Sequence, residues 1–132
     1  MIITGKLGPV RNGDDERRLI TAFGSKNDGF ELTHFIIRKT TKAPLGNHYH
    51  REKTETFMIL DGSGILTYAE VVEIDGKVSL FKKPETIELS GGTVVQILPY
   101  TSHAFHLEEG SVMVCFSSRP FDGNDMPSCK II

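Results

Sequence analysis

The sequence predicts an all-β chain folded as an antiparallel sandwich or barrel, and three observations carry that prediction. Short runs rich in β-branched and aromatic residues recur at intervals of about 8 to 12 residues, nine or ten of them in all. Turn dipeptides punctuate the runs, among them Asp61-Gly62, Asp75-Gly76 and Gly91-Gly92. No segment of helical length carries a 3.6-residue hydrophobic period.

Composition narrows the class. The 132 residues suit a single domain with one core, and neither a repeat nor a linker divides them. A net charge of −2, with acidic and basic residues interspersed, lacks the basic block of a nucleic-acid binder, so no nucleic-acid partner is expected. No apolar run approaches the roughly 18 residues of a membrane span, which argues against a membrane partner. Met1-Ile2-Ile3-Thr4-Gly5 does not read as a secretion signal, and a cytoplasmic location is expected. Two cysteines suggest no disulfide framework; Cys115, between Val114 and Phe116, reads as buried packing rather than a nucleophile.

Taken in order, residues 1–18 hold an apolar start followed by a polar, turn-rich stretch and are read as an arm. Residues 19–23 form a short strand, ended by the turn-rich residues 24–29. Residues 30–40 alternate Phe30, Leu32, His34 and Ile36 on one face with Thr33, Phe35 and Ile37 on the other, a strand covered on both sides with His34 as a hydrogen-bonded core histidine or pocket residue. Residues 43–46 read as a loop leading into the segment of His48 and His50. Residues 55–60 and 64–72 pair about Asp61-Gly62-Ser63; with Glu55 inward, Phe57 and Ile59 face in, and Met58 and Leu60 face out. A hairpin over 71–81, strands at 85–89 and 93–98, the segment headed by His103 and a last strand at 112–117 follow. The turn-rich 119–132 is a tail whose final three residues add an edge pairing. The expected layout is one domain over 1–132: arm 1–18, barrel 19–118, tail 119–132.

The chemistry concentrates around residues 46–62. His48 and His50 are two apart, so on an extended backbone both rings leave one face and converge. Glu55 adds a carboxylate at the head of an apolar strand, and His103 heads another such segment after Pro99. His106 points the opposite way from His103 and is not nominated. Three imidazoles and a carboxylate suit one divalent transition metal, such as Zn, Fe, Mn or Ni, better than Ca or Mg. The competing reading makes these ordinary polar residues on strand surfaces; their placement beside strand starts and turns, at the mouth of a small barrel, favours the metal.

These residues resemble the cupin superfamily. The first cupin motif is matched by His48-x-His50, four residues, Glu55, six residues and Gly62, with the leading glycine shifted to Gly46 and Lys42 at its usual place. The second motif is matched more loosely: six residues separate Gly92 from Pro99, His103 follows Pro99 by four positions, Thr101 stands at the glycine and Leu107 at the asparagine. The match spans roughly residues 30 to 118. Residues 46–50, 53–57 and 119–122 further resemble the C-terminal zinc cupin of bifunctional capsular-polysaccharide enzymes, which epimerises a 4-keto sugar nucleotide at C3 before a reductase domain acts.

The resemblance implies a double-stranded β-helix, or jelly-roll barrel, with a metal held by His48, His50, Glu55 and His103 and a small-molecule substrate. The sugar reading implies proton transfer beside a carbonyl, for which Tyr68, Tyr49, Lys53 and His34 are the acid–base candidates. The sequence ends at Ile132, so reduction would fall to a separate partner enzyme. A mononuclear non-haem dioxygenase uses the same ligand types, and a sensor or ligand-binding cupin or a structural zinc site are further alternatives. Met58, Leu60 and Leu66 need cover, so a homodimer that exchanges the 1–18 arm is expected.

Overall fold

A computed structural model describes residues 1–25, 29–40 and 43–132; Lys42 and the centre of the turn at 24–29 lie outside the described residues. Among the described residues there is no helix, and eleven strands make two antiparallel sheets. They are β1 (Gly8–Asp14), β2 (Arg18–Ser25), β3 (Phe30–Ile37), β4 (Leu45–His48), β5 (Glu55–Asp61), β6 (Ser63–Ile74), β7 (Lys77–Leu80), β8 (Glu85–Ser90), β9 (Val94–Ile97), β10 (Thr101–Leu107) and β11 (Val112–Ser117). One sheet runs β1-β2-β3-β11-β5-β9; the other runs β4-β10-β6-β7, with β8 also paired to β6. The long strand β6 thus serves two partners, β8 along Ser63–Tyr68 and β7 along Val71–Ile74. This is the jelly-roll arrangement expected from the short strands and Gly-rich turns.

Period-2 alternation positions the core. Glu55, Phe57 and Ile59 of β5 are buried while Met58 and Leu60 are exposed, as the inward placement of Glu55 requires. On the neighbouring strand Met113, Cys115 and Ser117 are buried. Phe57, Ile59, Leu66, Phe105, Leu107 and Met113 belong to one core cluster between the sheets, each such burial contributing about 1.5–3 kcal/mol.

Several expectations are corrected. The arm is partly sheet: Gly8 and Pro9 pair with Ala22 and Thr21. Leu45–His48, read in part as loop, is a strand held by β10, and the strand expected to reach Thr40 stops at Ile37. Leu66 is buried rather than exposed, because register places it opposite Phe105 on the core-facing side. His34 is not in the core: it pairs with Val114 of β11, whose own partner is Met58, and these side chains line the outer face of the six-stranded sheet. Residues 130–132 add no strand; instead Ser128 bridges His48, and the amide of Ile131 donates to Asn47 Oδ1 at 3.0 Å.

Candidate metal centre

Three strand ends deliver the site. His48 closes β4 and lies directly across from His103 on β10, so the ladder itself sets these two rings together. The approach depends on Gly46: its φ is +114°, and a Cβ there would stand 2.4 Å from the carbonyl oxygen of His103. The glycine offset from the motif's usual position therefore has a local reason. His50 follows in the connection to β5, whose first residue is Glu55. The ring centres of His48 and His50 are 5.0 Å apart, those of His48 and His103 4.9 Å, and those of His50 and His103 5.8 Å. One ligand atom from each of His48, His50, Glu55 and His103 falls in a group no wider than 4.8 Å.

The hydrogen-bond pattern shows how the rings are turned. His50 Nδ1 lies 2.6 Å from the carbonyl oxygen of Asp125, and His103 Nδ1 lies 3.0 Å from that of Thr101. A carbonyl only accepts, so both Nδ1 atoms donate to the backbone and both Nε2 atoms are the ones turned into the site. These face Glu55 Oε1 at 3.0 Å from His50 and 3.3 Å from His103. Neither His50 Nε2 nor Glu55 Oε1 has a hydrogen-bond partner, although both atoms are buried. Buried Nε2 atoms that converge on one carboxylate oxygen, with their Nδ1 atoms committed to backbone carbonyls, are a donor set that fits a metal ion. Burial, then the neighbouring His103 and His50, push His48 down to about 3, which keeps its ring neutral and able to ligate. Burial opposes the charge on Glu55, but His103 and His50 outweigh it and hold the carboxyl well below the usual range.

The tail completes the site, and sequence reading assigned it no such role. The buried Asp125 accepts from the amides of Arg51 at 2.7 Å and Glu52 at 3.2 Å, while its own carbonyl orients His50. The amide of Tyr49 donates to Pro127 O, that of Cys129 to Asn47 O, and Ser102 Oγ to Cys129 O. The tail thus straps the ligand loop from outside. The signal available was Asp122-Gly123-Asn124-Asp125, which reads as a turn; its contact with the loop joins residues 74 positions apart and is invisible to local pattern.

The centre opens into a cavity of about 460 Å³ between the sheets, within the range of small-molecule sites. Ile20, Phe35, Phe57, Phe105 and Met113 make its apolar walls, and Arg11, Glu31 and Lys53 are its charged residues besides Glu55. Of the four acid–base candidates the structure brings Lys53 alone to the centre, with Nζ 3.9 Å from Glu55 Oε2. Tyr49 points away from its histidine neighbours; it is fully buried, its hydroxyl donates to Glu73, and Arg51 lies over its ring. Burial first and Glu73 second push its phenol up to about 12. Tyr68, although opposite His103 in the ladder, donates its hydroxyl to Glu85 at 3.0 Å and lines a separate cavity with Leu98 and Tyr100. His34 lies on the outer sheet face. Cys115 is buried as expected, and burial pushes its thiol well above the usual range, so it remains S–H.

No protein-family model and no curated protein matches the sequence. Solved structures do match its fold. CapF from Staphylococcus aureus, described as a capsular polysaccharide assembling protein, aligns with a TM-score of 0.74 at 20% identity over 96% of this chain and 33% of its own. Streptomyces Pac13 with uridine bound aligns at 0.64 and 11% identity over 98% of this chain and 94% of its own. Oxalate decarboxylase aligns at 0.62 and 16% identity over 87% of this chain and 29% of its own. The chain spans about a third of the length of the CapF chains it matches. At these identities the likeness is one of fold, and the fold is the cupin jelly roll resembling that of CapF.

Proposed function

We propose that this protein is a metal-dependent cupin acting on a small oxygenated substrate, with epimerisation beside the carbonyl of a keto sugar nucleotide as the reaction. His48, His50, Glu55 and His103 would hold one divalent ion, Zn, Fe, Mn or Ni. The observation that carries the reading is the buried convergence of His50 and His103 Nε2 on Glu55 Oε1, with His50 Nε2 and Glu55 Oε1 left without a hydrogen-bond partner. When bound, the ion supplies Lewis-acid polarisation of a substrate oxygen. The chain's own residues do the rest. The carbonyls of Asp125 and Thr101 hold two imidazoles in ligating orientation. Phe35, Phe57, Phe105 and Met113 exclude water from the cavity floor. Lys53 Nζ, buried beside the centre, is the acid–base candidate placed to take the proton from C3 and to return one to that carbon, while the charge left in between rests on the substrate oxygen that a bound ion would polarise.

Two neighbours support the substrate class. CapF is a capsular polysaccharide protein, and Pac13 is described as a nucleoside dehydratase on a chain almost wholly covered by this one. The test is incubation with a nucleotide-linked 4-keto-6-deoxyhexose in D2O after loading with each metal. One deuterium at C3, seen by NMR, is the expected result. Oxygen uptake without deuterium incorporation would put a dioxygenase in its place. Equimolar metal with neither reaction would leave a binding module.

Pairing of two copies through the outer face of the six-stranded sheet belongs to the same reading. Leu32, Met58, Val94 and Phe116 are all exposed there, and Leu7 of the N-terminal segment lies at the same patch. Light scattering in solution should report twice the 14.7 kDa chain mass.

A further inference from the structure

We infer that Lys53 and Cys115 hold the second oxygen of Glu55, so that this carboxylate offers a metal one oxygen rather than two and leaves a cavity-facing coordination position open. The inference rests on the metal reading above and deepens it. The two oxygens of Glu55 have different surroundings. Oε1 faces the imidazoles of His50 and His103 at 3.0 and 3.3 Å. Oε2 faces the ammonium of Lys53 at 3.9 Å and accepts from the thiol of Cys115, also at 3.9 Å.

Strand register explains why those two groups are there. Ser117 of β11 is opposite Glu55 of β5, and Cys115 is opposite Phe57, so Cys115 is the diagonal neighbour of Glu55 on the inward face. Ser117 Oγ, 3.6 Å from the sulfur, steadies the thiol from its other side. Lys53 is two residues before Glu55 at the end of the ligand loop and is 7% exposed. A carboxylate torsion is otherwise soft, and a free Glu55 could turn both oxygens onto one ion. Turning it here would take the carboxylate from a buried ammonium and leave the S–H with Ser117 Oγ alone, which opposes the rotation.

The consequence concerns substrate access. Three imidazole nitrogens and one carboxylate oxygen leave one or two positions for substrate oxygen on a five- or six-coordinate ion, and a chelating Glu55 would take one of them. Lys53 and Cys115 are positioning residues in this sense: they keep the ion open by occupying the oxygen that would close it.

The test reads bound water directly. The full chain is loaded with Mn2+, and water-proton relaxivity is measured for wild type, Cys115→Ala, Lys53→Met, the double variant and the conservative pair Lys53→Arg/Cys115→Ser. One Mn2+ per chain is expected throughout, with relaxivity falling by about half in the double variant as Oε2 replaces one of two waters, an intermediate fall in each single variant and near wild-type relaxivity in the conservative pair. Undiminished relaxivity in a double variant that still binds Mn2+ overturns the inference, as does an equal fall in the conservative pair. If the double variant does not fold, Cys115→Ala decides, and unchanged relaxivity there counts against the inference. Failure of the wild-type chain to bind any metal would instead remove the proposed function itself, so the two failures are distinguishable.

Discussion

The two faces of the six-stranded sheet each depart in part from the usual rule of apolar inside and polar outside. The inner face of β3, β5 and β11 carries the half-buried Glu31 and Thr33 and the buried Glu55, Cys115 and Ser117 beside the apolar Phe57, Ile59 and Met113. The outer face of the same strands carries Leu32, Ile36, Met58, Leu60 and Phe116, each more than a third exposed. A single register produces both, since neighbours along a strand alternate sides. Polar groups kept in a core cost stability unless they serve chemistry, and apolar groups kept in water cost solubility unless something covers them. The contrast is sharpest for histidine. His50 and His103 are buried with their Nδ1 atoms on backbone carbonyls, whereas His34 stands half-buried among apolar side chains of the outer face.

The comparison breaks most severely if the inner face is not a metal site. His50→Ala should weaken metal binding by more than about 100-fold, beyond the range for outer-shell partners, and Glu55→Gln should do so less steeply. Elemental analysis after gel filtration checks both; equimolar metal in His50→Ala would return these residues to ordinary packing. Next in size, Asp125→Ala removes the acceptor for the amides of Arg51 and Glu52 and should loosen metal by about 10–100-fold without changing the ligand set, measured by competition with a chelator. An unchanged affinity would mean that the tail orients nothing.

The outer face is tested by Met58→Asp, which should convert the proposed dimer to monomer in light scattering while leaving the proposed metal content at one per chain. Loss of metal in that variant would show the two faces to be coupled. Smallest of all, Tyr68→Phe should leave metal affinity and deuterium incorporation unchanged, because its hydroxyl is spent on Glu85 in another cavity. A tenfold slower exchange would bring Tyr68 back into the reaction.

Local pattern made much of this legible. The pair His48 and His50, the inward placement of Glu55, Phe57 and Ile59, and the burial of Cys115 all follow from a two-residue period. The same period could not rank the acid–base candidates. It sets Tyr49 apart from His48 and His50, but whether Tyr68 or Lys53 reached the centre depended on strand pairing. His34 was misread because a strand apolar on both faces does not declare which is inside. Leu66 was misread for the same reason, and the role of Asp125 went unseen because its partners are remote in the chain.

What the sequence determined by itself was the all-β class, the turn positions and the candidate ligands His48, His50 and Glu55, since each rests on neighbours a few residues apart. Tertiary structure alone decided which face of each strand is interior, that Gly46 brings β4 against β10, that the tail braces His50, and that Glu55 turns one oxygen to the histidines and the other to Lys53 and Cys115. The physical reason is that side-chain direction is local, whereas the meeting of lone pairs, cations and carbonyls around one point depends on which strands the fold makes neighbours.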